Sequence, residues 1–328
     1  MKNRFHFLFI LLPLLLIVGL IIFLVLRIGS FINPVTIDTE ITEEDIAAYE
    51  DNYDVIRPLL DEEGYVVKRE IKNILIFGNA PFAEDRTSDE GMANMLAAST
   101  GANIINCAID GTYACQVNEA DVLENPLDIY TPYYLCTYLT FPGYIEENIL
   151  NGAALLGDSN PKEAADVLDT LSSLDMEEID LIVYFYDLTD YYLEHPIYKD
   201  GESVSAETFG GNIYLAMDII NTRYPHIRQI CMSPYYNSFT DADGNTESAE
   251  LHKNKYGTPG EYVLSEGGPV QIYTMESFVD NYFGSITEVN CDKYLKDPRH
   301  LNAEGRKLLV KRLTDAIFYF SNPAGMDQ

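Results

Sequence analysis

Asn73-Ile-Leu-Ile-Phe-Gly-Asn-Ala-Pro81 is the stretch on which the fold turns. Ile74 to Phe77 are consecutive apolar residues without polar alternation, the pattern of a strand buried on both faces in a parallel sheet. Gly78-Asn79-Ala80-Pro81 then breaks the strand, as turn-forming residues do. Similar runs recur at residues 103–109, 181–186, 227–232 and, more weakly, 286–289.

Helical stretches lie between these runs. After the first, Ser88 is placed to cap a helix, with Asp89 and Glu90 at its positive end, Met92, Met95 and Leu96 on its apolar face, and Gly101 as its stop. Asn160-Pro161 is expected to open another helix, with proline at the position it favours. A third is expected at about residues 209–222. The last is expected at residues 303–320, capped by Asn302, with Leu308, Leu309, Leu313, Ile317 and Phe320 as its buried stripe. This alternation predicts a doubly wound α/β domain of about 250 residues. Residues 116–151, rich in tyrosine, are expected to be helical in part. Residues 233–268 are expected to be irregular, with a turn at Asp243-Gly244.

Working outward to the N-terminus, residues 7–26 form an uncharged apolar run of 20 residues. At about 1.5 Å per residue such a run spans a bilayer core of about 30 Å. No small-residue cleavage site follows, so the run reads as an uncleaved anchor. Lys2 and Arg4 precede it, which puts the N-terminus in the cytoplasm and the rest of the chain outside. Residues 1–29 are thus the cytoplasmic tip and anchor, 30–70 an acidic spacer, 71–321 the folded domain and 322–328 a tail. Between Thr36 and Gly64 eleven acidic residues face one base, Arg57.

The net charge is −31. The first 29 residues hold Lys2, Arg4 and Arg27 and no acid, so the exterior part carries −34. A surface this acidic argues against nucleic acid as a partner. The five cysteines, Cys107, Cys115, Cys136, Cys231 and Cys291, have neither a CxxC pair nor an even count. They form neither a disulfide framework nor a zinc site, and a Cys107–Cys115 bridge is left open. Asp241-Ala-Asp-Gly-Asn245 starts like a calcium loop, but its glycine is misplaced for one. Neither a cofactor nor a metal is expected.

In open α/β sheets ligands bind beyond the carboxyl ends of the strands. Chemistry is therefore sought after each strand and before the last helix, where Asp297-Pro-Arg-His300-Leu-Asn302 offers a carboxylate and an imidazole. In their order and spacing these segments resemble the SGNH or GDSL hydrolases, in their membrane-anchored bacterial form, over residues 72–320. The resemblance implies a flavodoxin-like three-layer α/β/α domain around a mainly parallel five-stranded sheet. The family's opening block is a strand followed by Gly-Asp-Ser; here Gly78-Asn79-Ala80 puts Ala80 at the nucleophile position. Gly111 stands at an oxyanion-hole glycine. The family's Gly-x-Asn-Asp block reads Asp187-Leu-Thr189-Asp190, with Thr189 in place of the donating asparagine. Asp297 and His300 match the closing Asp-x-x-His block in full.

The resemblance therefore implies Asp297 and His300 as the catalytic pair, Ala80 as a silent nucleophile position, and Asn79, Gly111, Thr189 and Asp190 as the oxyanion or substrate pocket. Acyl transfer needs a hydroxyl or thiol within reach of the base, and alanine offers neither. Thr87, Ser88 and Cys115 are the alternative nucleophiles, with capping the simpler role for Ser88 and burial for Cys115. Glu84, Asp85 and Arg86 read equally as a pocket rim or a solvated loop. Tyr184, Tyr186, Tyr191, Tyr192 and Tyr198 read as core before sugar site, and the spacing of His195, His226 and His252 gives them no role. The function implied is an esterase, O-acyl hydrolase or acyltransferase of acylated envelope glycans or lipids with impaired catalysis; the alternative is a non-catalytic binding or scaffold module.

Overall fold

The computed structural model describes residues 70–197, 199, 204–240, 243–263, 278–279 and 285–318. The strands are β1 (Asn73–Gly78), β2 (Asn103–Asn106), β3 (Leu181–Phe185), β4 (Arg228–Met232), the short antiparallel pair β5 (Phe239–Thr240) and β6 (Thr246–Glu247), and β7 (Phe278–Val279). A five-stranded sheet runs in the order β2-β1-β3-β4-β7, every pairing parallel. Side chains on a strand alternate between faces, yet Ile74 to Phe77 and all of β3 are buried. Both faces of the central strands are therefore covered. Each large side chain there contributes roughly 1.5–3 kcal/mol by leaving water.

The helices are α1 (Ala80–Ala83), α2 (Met92–Thr100), α3 (Pro132–Thr140), α4 (Pro142–Leu156), α5 (Ala164–Ser172), α6 (Thr189–Tyr192), α7 (Phe209–Arg223), α8 (Cys291–Tyr294) and α9 (Ala303–Phe318). Among them α2 packs on α9 and α3 on α7. Asn302 caps α9 as expected, its Oδ1 accepting the Gly305 N–H at 3.0 Å. Gly101 closes α2, and the Asp243-Gly244 turn lies between β5 and β6.

Three expectations need correcting. Residues 286–289 are not the fifth strand. Asn290 takes the Thr287 N–H at 2.7 Å and donates to the Ser285 carbonyl at 3.1 Å, which folds this segment into a turn and leaves Val289 exposed. The edge strand is β7, too short to show as an apolar run. Ser88 does not cap α2; Gly91 holds that position, and Ser88 Oγ accepts the Glu90 N–H in a tighter turn before it. The helix expected at Pro161 begins only at Ala164, because the Ala164 N–H closes a turn on the Pro161 carbonyl at 3.1 Å.

The anchor, residues 7–26, and the spacer up to residue 69 lie outside the described residues, as do Tyr198 and Phe320. Among the described residues no helix is long and apolar enough to cross a membrane.

All five cysteines are free thiols, including Cys107 and Cys115. Four are fully buried, and burial pushes the Cys107 and Cys136 thiols up to about 12. A thiol-specific reagent at pH 8 is expected to modify Cys291 alone in the native chain and all five cysteines in denaturant. Two or more fast thiols in the native state would contradict this packing.

Candidate active site

The strand order reverses direction at β1, which has β2 on one side and β3 on the other. The carboxyl ends of β1 and β3 therefore flank the switch point, where such sheets open a crevice. Gly78 pairs with Phe185 across that point. A side chain on Gly78 would meet the Phe185 carbonyl at 2.2 Å, so only glycine allows the two backbones so close. The approach lets the buried Asn79 bond the loop after β3. Its Nδ2 donates to Asp187 Oδ1 at 2.8 Å and to the Thr112 carbonyl at 3.1 Å, and its Oδ1 accepts the Asp187 N–H at 3.0 Å. One side chain thus ties together the loops after β1, β2 and β3.

Ala80 follows as the first residue of α1 and is 5% exposed. Neither a hydroxyl nor a thiol is present at this position. Glu84 ends α1, its N–H donating to the Ala80 carbonyl at 2.9 Å. Residues one turn apart are neighbours on a helix surface.

The loop before α9 is closed by the Leu295–Leu301 bridge and by the Lys296 N–H on the His300 carbonyl at 2.9 Å. Asp297 shapes its turn, Oδ1 accepting the N–H groups of Arg299 at 2.9 Å and His300 at 3.0 Å, as an Asp-Pro pair favours. The same carboxylate holds His300 Nδ1 at 2.8 and 2.9 Å. Burial pushes the Asp297 carboxyl up, but the two N–H groups and the imidazole outweigh it and hold it below its ordinary range. The other ring nitrogen, Nε2, lies 3.9 Å from Glu84 Oε1. His300 is thus oriented by Asp297 on one side and faces, on the other, the carboxylate of Glu84, the residue that caps the end of the helix begun at Ala80.

Glu84 is also bonded by Lys296 at 2.8 Å and approached by Arg306 at 3.9 Å, while Arg306 pairs with Asp85 at 2.8 Å. Of the three residues that read equally as pocket rim or solvated loop, Glu84 faces the imidazole. Asp85 serves Arg306, and Arg86 reaches the carbonyls of Asn106 and Ala108.

The pocket residues differ in placement. Gly111 adopts φ +75°, and its N–H donates to Asp110 Oδ1 at 2.9 Å, so that donor is already engaged. The Thr189 N–H donates to Asp187 Oδ1 at 2.9 Å, and its Oγ1 accepts from Arg299 at 3.3 Å. Asp190 is completely buried and turns to other partners: its oxygens accept the N–H groups of Ala114 and Cys115 at 2.9 Å each, and His195 Nδ1 at 2.8 Å. This is a loop-holding role. Donor atoms of Cys115, Asp190 and His195 lie within 4.8 Å of one another, a spacing that suits a metal, but the Asp190 oxygens are already hydrogen-bonded.

Cys115 is fully buried, and burial pushes its thiol far up, so neither access nor ionisation favours it as a nucleophile. Tyr184, Tyr186 and Tyr191 are core, and Tyr192 is half-buried beneath Arg299, whose guanidinium lies 4.1 Å from its ring centroid. Sequence gave no role to His195 or Arg299. The contacts of His195 span distant segments, and Arg299 is hidden between the two matching residues of the Asp-x-x-His block.

No protein-family model matches the chain, and neither does any curated protein. Solved structures do. A protein from Lactobacillus plantarum is similar over 77% of this chain and 98% of its own, with 14% identity and a TM-score of 0.50. Another crystal structure is similar over 76% of this chain and 97% of its own, with 17% identity and a TM-score of 0.50. What these share with the chain is the fold, an α/β domain built on a parallel sheet. A carbohydrate acetylesterase from Sinorhizobium meliloti, 13% identical over 76% of this chain and 99% of its own, is found at a TM-score of 0.42.

Proposed function

We propose that the chain is an SGNH/GDSL-hydrolase-like protein of the cell envelope that recognises an acylated glycan or lipid and hydrolyses its ester slowly. In this reading residues 7–26 anchor it in the membrane, with the N-terminus in the cytoplasm and the α/β domain outside. The observation that carries the proposal is the Asp297–His300 pair, fixed at Nδ1, with Nε2 3.9 Å from Glu84, the residue that follows the short helix begun at Ala80. A base so oriented takes a proton from water, and the resulting hydroxide attacks the ester carbonyl directly. The imidazolium, stabilised by Asp297, then returns the proton to the leaving alkoxide. The Ala80 N–H, in the first turn of α1, is a main-chain donor without an acceptor inside the helix and so can meet the developing oxyanion.

General-base catalysis of this kind supplies about 10²–10⁴-fold, far below a complete triad. The low Asp297 pKa keeps its charge, and with it the imidazole's orientation, until the pH falls below the ordinary carboxylate range of about 4. With 4-nitrophenyl acetate and the full-length chain in non-ionic detergent, wild type is expected to show slow turnover above the buffer rate. His300→Ala is expected to lower it at least tenfold.

The second reading, a binding module without catalysis, is favoured by the Glu84 carboxylate near Nε2 and by the Gly111 N–H bonded to Asp110. A wild-type rate equal to that of buffer would leave this reading in place of the first.

A further inference from the structure

Arg299 departs from the behaviour of most charged groups in this site. Arg306 is paired with Asp85, and Lys296 with Glu84. Arg299, in a chain of net charge −31, has no carboxylate within ion-pair distance among the described residues. Its side chain is positioned nonetheless. The guanidinium stacks on the Tyr192 ring, and one N–H donates to Thr189 Oγ1. Its main chain is pinned as well, the Arg299 carbonyl accepting from the Tyr235 hydroxyl at 2.7 Å and from Asn237 Nδ2 at 3.4 Å.

Two polar groups beside it lack partners. Arg299 Nε is buried without an acceptor, and so is the Tyr192 hydroxyl. Asp187, on the other side of Thr189, accepts from Asn79 and from the Thr189 N–H and makes no bond to the guanidinium. A planar cation held by a ring and a single hydroxyl keeps its fork of N–H donors for something else. That fork matches the two oxygens of a carboxylate or a phosphate. Its position is as informative as its chemistry. Arg299 adjoins His300 in sequence and touches Thr189, whose N–H is bonded to Asp187, itself bonded to Asn79, the residue before Ala80.

We infer that Arg299 anchors an oxyanion, carboxylate or phosphate, carried by the ligand of this site. Resting on the reading above, this narrows the ligand from any acylated glycan or lipid to one bearing an anionic group close to its ester. The acidic domain repels anions at long range, so recognition is local, through the fork alone.

The test is direct binding without turnover. Full-length protein with ¹⁵N-labelled arginine is titrated with acetate and with inorganic phosphate, following the Arg299 Nε resonance and the heat of binding. Saturable binding of at least one anion is expected. It should weaken at least tenfold in Arg299→Gln and by a smaller factor in Arg299→Lys, which keeps the charge but not the fork. Preference for phosphate or for acetate identifies which group the ligand carries. Absence of saturation with both anions, or equal binding by wild type and Arg299→Gln, overturns the assignment. If Arg299→Gln melts like an unfolded chain, Arg299→Lys decides alone: undiminished affinity there overturns it. Because the readout is binding, loss of the hydrolase reading would leave this result standing, and the reverse also holds.

Discussion

Ala80→Ser is expected to raise ester turnover about a thousandfold over wild type. In serine hydrolases removal of the nucleophile costs about 10⁶ in kcat, so its return to a fully equipped site would restore a similar factor. This site is not fully equipped. Thr189 stands where the family's donating asparagine is, with its hydroxyl oxygen accepting from Arg299, and the Gly111 N–H donates to Asp110. The missing asparagine costs about 10²–10³, which at the larger value brings the expected gain down to about 10³; a Gly111 N–H that stays on Asp110 lowers it further. The base itself needs no repair, since Asp297 already holds Nδ1 at 2.8 Å. A hydroxyl at position 80, one helical turn from Glu84, competes with that carboxylate for Nε2. The gain should therefore increase further in Ala80→Ser with Glu84→Gln.

The control is dependence on the base. Ala80→Ser combined with His300→Ala should return to the wild-type rate or below, because nucleophile and base act as a unit and their effects do not add. An initial burst of about one equivalent of 4-nitrophenol, marking an acyl-enzyme, should accompany the gain. A variant no faster than wild type, or one whose rate survives His300→Ala, would show that the imidazole does not serve position 80.

Much of this was legible in the sequence because it depends on local signals. The runs at β1, β3 and β4 announce a buried parallel sheet by their continuity alone. Asn302 and Gly101 announce helix ends because capping is a property of one residue and its neighbours. Asp297 and His300 were legible because their hydrogen bond closes within three residues of chain. The rest required distance. β7 is two residues long, and residues 286–289 offered a better apolar run that Asn290 folds into a turn. Arg299 carries no local signal, since nothing in its sequence tells a paired arginine from an unpaired one; that follows from Tyr192 and Thr189, more than a hundred residues earlier. Asp190 illustrates the same limit. The family block in which it stands implied a pocket role, whereas its partners are two backbone N–H groups from the loop after β2 and an imidazole from beyond α6.

Asp190→Ala should accordingly act on stability more than on the site. Its carboxylate is completely buried and accepts three hydrogen bonds, two from main-chain N–H groups of Ala114 and Cys115. Those two donors are themselves buried, and removing the acceptor leaves both without a partner, at about 1–3 kcal/mol each. His195 loses its carboxylate as well. The sum, about 3–5 kcal/mol, is a large part of the 5–15 kcal/mol that holds a typical domain together. In a domain of this size it lowers Tm by about 10 °C. Asp190→Asn keeps the shape but has one acceptor oxygen for donors that now use two, so an intermediate loss is expected. His195→Ala, which leaves both backbone bonds in place, should cost the least of the three. Urea unfolding of the full-length chain, with the three variants side by side, measures this order. A loss under 1 kcal/mol in Asp190→Ala, or a larger one in His195→Ala, would mean that the loop after β2 is held by other contacts. Asp190 would then return to consideration as a residue of the pocket.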